Sequence, residues 1–272
     1  MGEKTKILDP NRQYGLVLEG GGARGAYQIG AWMALRQAGI RIKGIAGASV
    51  GALNGALICM DDIEKARNIW ENIRYSQIMN VEDQVMQRLY PFHLKHLPGL
   101  LREGKRILKS GGLDVEPLKR LIEENIDEAK IRASGCQLFM TACSLTDRKP
   151  VAVEVSQIPE GELADMLMAS SYLIGFRQEK LGGKYYLDGA YCNNVPVDIL
   201  IGEGYKDIIV IRIYGFGVDT EKRLKVPEDV RLYHICPKED LGKILEFDAS
   251  RARKNIAVGY RDGCRLTGIR EK

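Results

Sequence analysis

Apolar positions along this chain fall into short runs that alternate between two periods. Residues 14–18 are an uninterrupted apolar run that stops at a cluster of four glycines between positions 20 and 25. Ala26, Ile29 and Met33 then recur at the spacing of one helical face, with Gly39 beyond them as a stop. The same sequence of signals follows at once: an apolar run over 41–46, a tight turn over 47–51, and Leu53, Ala56, Leu57 and Met60 on one helical face. Two strand-to-helix units in tandem predict a parallel sheet with right-handed crossovers.

Further along, residues 62–73 have the pattern of an amphipathic helix, and Asp114 is placed to cap another over 116–125. Between these two the pattern breaks. Residues 137–145 and 151–155 read as strands joined by a hairpin-sized turn through Thr146, Asp147 and Arg148. A helix fits 161–170, a short strand 184–187 ends at Asp188, a helix fits 197–202, and 207–214 is a strongly apolar strand. A strand at 231–236 and a closing helix over 247–264 with a basic outer face complete the pattern. The reading is one domain over 14–272 behind a tail of residues 1–13, with a cap insertion at about 85–113.

Composition leaves this picture intact. Hydrophobic residues make up 45% and charged residues 28% of the 272 positions, ordinary values for a globular chain. The longest uncharged stretch, from Gly44 to Met60, contains four glycines and falls short of the roughly 20 residues that a membrane span needs. The first ten residues are polar, with Lys4 and Lys6, and lack the apolar core of a secretory signal. The six cysteines include no Cys-x-x-Cys pair, and several sit in apolar runs where free cysteine acts as a small hydrophobe. The expectation is therefore six reduced thiols in a cytoplasmic protein, peripheral at the inner membrane surface. No metal site and no cofactor is expected.

The net charge of +4 is concentrated between Arg88 and Lys109, where six basic residues face one acid, Glu103. Base-stacking aromatics or a known nucleic-acid module do not accompany them, which argues against nucleic acid as a partner. The stretch mixes its basic residues with leucines and two prolines, Pro91 and Pro98. It can be a cap touching an anionic membrane surface or an insertion whose leucines join the core.

Three local patterns carry candidate chemistry. Gly20-Gly21-Gly22-Ala23-Arg24-Gly25 matches G-x-G-x-x-G between a strand and a helix, which alone suggests a nucleotide site. A dinucleotide fold needs an acid near the end of the next strand to hold the ribose, and that position here reads Ile45-Ala46-Gly47-Ala48-Ser49. Gly47-Ala48-Ser49-Val50-Gly51 is a G-x-S-x-G at a strand-to-helix junction, where a strained turn exposes the serine oxygen beside a helix N-terminus. Asp188-Gly189-Ala190 follows the strand over 184–187, where an ordinary turn aspartate would also fit.

In this order and setting, the three patterns resemble the patatin-like phospholipases, which carry a glycine run with Arg-Gly, a G-x-S-x-G elbow and a later Asp-Gly-Gly or Asp-Gly-Ala. The resemblance extends from Tyr14 to the last helix and includes Asn194 and Pro196. It implies a three-layer α/β/α sandwich around a mostly parallel sheet and a lipid acyl hydrolase acting on carboxylic esters. By position, the nucleophile falls on Ser49 in an elbow flanked by Gly47 and Gly51, and the base falls on Asp188 in a motif with Gly189 and Ala190. The oxyanion loop falls on Gly20 to Gly25, with donors on the N–H groups around Gly21, Gly22 and Ala23 and with Arg24 as a buttress. The physical reasoning runs parallel: a serine hydroxyl needs a base within reach, a carboxylate must be partly desolvated to serve, and bare N–H groups hold the oxyanion.

Two competing readings remain. A Ser49-Asp188-His234 triad has the residue order of α/β-hydrolases, yet Ser49 follows only the second strand and His234 sits within an apolar run. A nucleotide-binding protein would use the Gly20 to Gly25 loop on a pyrophosphate. The chain departs from the family pattern over Ala169-Ser170-Ser171-Tyr172-Leu173-Ile174-Gly175-Phe176, where relatives carry Ala-Ser-x-Ala with a proline nearby; Tyr172 replaces the alanine and the proline is missing, which predicts a narrower or differently shaped acyl pocket. Cys192 reads as a small wall residue or a reactive thiol.

Overall fold

A computed structural model describes residues 8–84, 86 and 111–271, and its centre is a seven-stranded sheet. Strand β1 (Gln13–Leu18) runs between β2 (Arg41–Ala48) and β6 (Asp207–Ile211), parallel to both. Beyond β2 lies β3 (Gln137–Ser144), and beyond β6 lies β7 (Arg231–Ile235), again parallel. Only β4 (Lys149–Glu154) and β5 (Tyr186–Asp188) run antiparallel, and both pair with β3.

The period of two in the strands sorts side chains to two cores. Leu16, Leu18, Ile45, Leu138, Met140, Ile209 and Ile211 face one side, and Val17, Ala46, Phe139, Ile208 and Val210 face the other. The first side is covered by α1 (Ala26–Gln37), α2 (Val50–Cys59), α3 (Ile63–Glu71), α4 (Glu116–Asn125), α5 (Glu128–Ala133) and α6 (Leu163–Ser170). The closing helix lies on this side as well. After the short α7 (Ala190–Asn193), α8 (Val197–Gly202) covers the second side through Val197 and Leu200. The closing helix α9 (Ala249–Thr267) packs along α1, where Gly30 and Gly259 bring the two backbones together. This is the expected three-layer α/β/α sandwich with a mostly parallel sheet.

The structure departs from the sequence pattern in three places. Helix α5 has no counterpart in the sequence pattern, because its six residues bury only Ile131 and so show no apolar period. Strand β5 covers Tyr186–Asp188 where the pattern placed a strand over 184–187, and it runs against β3. The cysteines are not all free, because Cys143 and Cys192 form a disulfide across a 6.0 Å Cα separation, so Cys192 is neither a bare wall residue nor a free thiol. The pairing joins positions 49 residues apart and exists only because α7 folds back onto β3. The expected cap at about 85–113 and the basic residues from Arg88 to Lys109 lie almost entirely outside the described residues. Among the described residues, no helix is long and apolar enough to cross a membrane.

Candidate active site

The site is assembled by one edge of β3. Strand β2 climbs that edge in parallel and ends with Ala48 opposite Thr141. Strand β5 descends it antiparallel and ends with Asp188 opposite Ala142, the next position along, while β4 occupies the other edge. Two strands thus meet end to end on β3, and Ser49 and Asp188 are the residues at the meeting point. Their separation of 139 positions in sequence collapses to neighbouring rungs of one ladder.

Ser49 is held in a strained conformation, φ 53° and ψ −126°, which costs about 1–3 kcal/mol and persists only because its surroundings enforce it. Gly47 and Gly51 permit the turn: a Cβ on Gly47 would strike the carbonyl of Gly51, and one on Gly51 would strike the carbonyl oxygen of Leu18. The Ser49 N–H donates to the Ser170 Oγ at 2.9 Å, which fixes the elbow from the opposite side. Its carbonyl accepts from the N–H groups of Ala52 and Leu53 as α2 begins, so the side chain stands at a helix N-terminus.

Asp188 is fully buried. Its N–H donates to the Tyr172 carbonyl at 2.8 Å, and the Gly189 N–H donates to the Ser170 carbonyl at 3.1 Å. The Ala190 N–H satisfies Oδ1 at 2.8 Å, whereas Oδ2 has no hydrogen-bond partner. Burial pushes the carboxyl up from the ordinary aspartate range to about 7; the Ser49 hydroxyl, then the Ala190 N–H, pull it back down. The Ser49 hydroxyl thus acts on the carboxyl, although no hydrogen bond closes on Oδ2.

The glycine loop approaches from β1. Gly20 and Asn194 are tied reciprocally: the Gly20 N–H donates to the Asn194 carbonyl at 3.3 Å, and Asn194 Nδ2 donates to the Gly20 carbonyl at 3.2 Å. The Ala23 N–H, expected to point at the reacting oxygen, donates instead to the Ile244 carbonyl at 2.7 Å. The Arg24 N–H donates to the Gly21 carbonyl, and Gly25 belongs to the short 3-10 turn over Gly22–Gly25. Gly21 and Gly22 precede or open that turn, so their N–H groups are its orphan donors, and Gly22, at φ 56°, lines a cavity together with Ser49. The Arg24 side chain turns away from Ser49 and donates to the carbonyls of Gly242, Ile213 and Tyr214.

Two residues that shape this geometry, Glu19 and Ser170, belong to none of the three motifs. Glu19 is buried, and its carboxylate accepts from Arg212 Nε and from the N–H groups of Ile213, Tyr214 and Gly215, shaping the segment against which Gly20 and Gly21 pack. Ser170 lies in the stretch whose departure from the family pattern predicts an altered acyl pocket. An acid between an apolar strand and a glycine run is the one cue that could have singled out Glu19. Ser170 has none, since its role depends on α6 ending beneath the elbow.

His234 is not brought to the pair. It lies on β7, three strands from β2, half-exposed and bonded to Glu221. The polar groups that act on Asp188 are Ser49 and Ala190. A triad through His234 is thus incompatible with this fold.

From Ser49 and Gly22, a cavity of about 100 Å³ runs between α2, α3 and α4. Its walls include Leu53, Leu57, Ile69, Leu118, Leu121 and Phe247. Ser171, Leu173 and Phe176 come from the divergent stretch, but Tyr172 is not part of the lining; it is buried behind the wall. Such walls suit a hydrocarbon chain and offer nothing to a pyrophosphate, which disfavours the nucleotide reading of the loop.

Residues 16–201 match the family model described as patatin-like phospholipase. The chain belongs to that family. The neuropathy target esterase sws of Drosophila melanogaster is 28% identical over 216 residues, covering 76% of this chain and 13% of that protein. A lysophospholipase of Aspergillus terreus, nte1, is 58% identical over 50 residues, 18% of this chain and 3% of the relative. The chain therefore spans a small fraction of the curated relatives it matches. Among solved structures, VipD from Legionella pneumophila shares the fold with a TM-score of 0.56 at 14% identity, over 94% of this chain and 66% of that one.

Proposed function

We propose that this patatin-like chain is a lipid acyl hydrolase that cleaves carboxylic esters through a Ser49-Asp188 dyad. The observation that carries the reading is the buried, half-satisfied Asp188 carboxyl beside a strained serine at the mouth of an apolar cavity. Asp188 takes the Ser49 proton as Oγ forms its bond to the ester carbonyl carbon. The oxyanion so formed is held by the N–H groups of Gly21 and Gly22, near the N-terminus of α2. Collapse breaks the bond to the alcohol, which leaves with the proton from Asp188 and leaves an acyl ester on Ser49. Water, deprotonated by Asp188, then releases the fatty acid and restores the serine. A carboxyl titrating near 7 suits both directions of transfer at neutral pH.

The names of the relatives, an esterase and a lysophospholipase, agree with an acyl lipid as substrate. Contact with anionic lipid through the basic residues from Arg88 to Lys109 belongs to the same reading and is supported by their composition. The test is turnover of acyl esters of graded chain length together with fluorophosphonate labelling. Ser49→Ala is expected to abolish labelling and lower kcat by at least about a thousandfold. Retention of parental turnover by that variant sinks the assignment.

A further inference from the structure

Large apolar side chains are seldom left in water as a cluster unless something covers them. Ile174 is 70% exposed and Phe216 38%. Ile174 and Phe216 line one open groove with Tyr191, whose ring lies 5.4 Å from that of Phe216 and whose hydroxyl accepts from the Ile174 N–H at 3.3 Å. The groove is not isolated. It shares Leu173 and Leu245 with the cavity that reaches Ser49, and Lys243 stands on its rim.

This continuity decides which partner fits. A hydrocarbon chain that left a membrane and crossed water to reach the cavity would forfeit about a fourfold factor in equilibrium for each methylene exposed. A groove that begins at an exposed aliphatic and aromatic rim and continues into the cavity removes that barrier, provided the rim is seated in lipid. Ile174 and Phe216 supply apolar bodies for the acyl region, and Tyr191 supplies a ring with a polar tip suited to headgroup depth.

We infer that the surface formed by Ile174, Tyr191 and Phe216 seats on a phospholipid bilayer and passes an acyl chain from it directly into the Ser49 cavity. The inference rests on the lipid hydrolase reading for its purpose, but the contact is separately measurable. In a Ser49→Ala background, which leaves vesicles intact, Ile174→Asp and Phe216→Asp are each expected to weaken cosedimentation with phosphatidylcholine vesicles about tenfold. With Ser49 restored, the same variants are expected to hydrolyse a water-soluble short-chain ester at the parental rate while losing activity on vesicles. Ile174→Trp gives a second readout: Trp32 is buried and Trp70 lines the cavity, so the blue shift on adding vesicles is read as the difference between Ile174→Trp and the parent.

Parental cosedimentation of both aspartate variants, or no shift from Ile174→Trp, overturns the inference. So does binding to phosphatidylglycerol vesicles that is equally strong and equally salt-sensitive in the parent and both aspartate variants, because it would then run through the basic residues alone. Absence of any ester turnover with vesicle binding intact would instead count against the hydrolase reading and leave the docking surface standing.

Discussion

Replacing Asp188 with asparagine is expected to remove activity and, at neutral pH and above, to stabilise the fold. The folded carboxyl titrates at about 7 because burial disfavours its charge, whereas in an unfolded chain an aspartate titrates at about 3.9. Below about pH 4 the carboxyl is neutral in both states and contributes no difference. As pH rises towards 7 the unfolded chain ionises first, so the parent loses stability across that window; above it the penalty is constant. The gap of about three units, at 1.36 kcal/mol each, sets a ceiling of about 4 kcal/mol. Asparagine keeps the acceptor for the Ala190 N–H and does not ionise, although its amide must find a partner where Oδ2 has none. The expected net gain is therefore about 1–4 kcal/mol. Urea unfolding of parent and Asp188→Asn at intervals from about pH 4 to about pH 9 measures it directly. The variant should match the parent or fall slightly below it at the acid end and exceed it at the alkaline end. A difference that does not vary with pH would refute the assigned protonation of Asp188. In the same parent protein, kcat/KM for a soluble ester should rise through a midpoint near 7 as the base ionises.

Leu121 lines the cavity from α4 and is only partly buried, so Leu121→Trp should shorten the chain the cavity accepts. Long-chain esters are expected to lose at least about tenfold in kcat/KM while short ones stay within a few-fold, and equal loss for both would count against this cavity as the acyl site. Glu19→Gln removes a buried charge that holds Arg212 and three backbone N–H groups, and should cost about 3 kcal/mol or more in denaturant unfolding. A stability unchanged from the parent would show that Asp219 and Glu221 suffice for Arg212.

Much of this molecule was legible in one dimension because its determinants are local. The alternation of apolar runs, glycine turns and helical faces over residues 14–60 reports which backbone each segment adopts, and from that the parallel sheet follows. The G-x-S-x-G elbow was legible for the same reason: strain at Ser49 and the close approaches at Gly47 and Gly51 arise within a few residues of each other. What depends on strands meeting was not. Nothing near position 188 says that β5 runs against β3 and ends beside Ala48, which makes an ordinary turn aspartate into a buried carboxyl titrating at about 7. The same holds for the Ala23 N–H, diverted to Ile244, for Ser170 beneath the elbow, and for Cys143 paired with Cys192. Burial and partnership belong to residues brought together from distant parts of the chain, so desolvation, and with it the chemistry of Asp188, was decided by the tertiary structure alone.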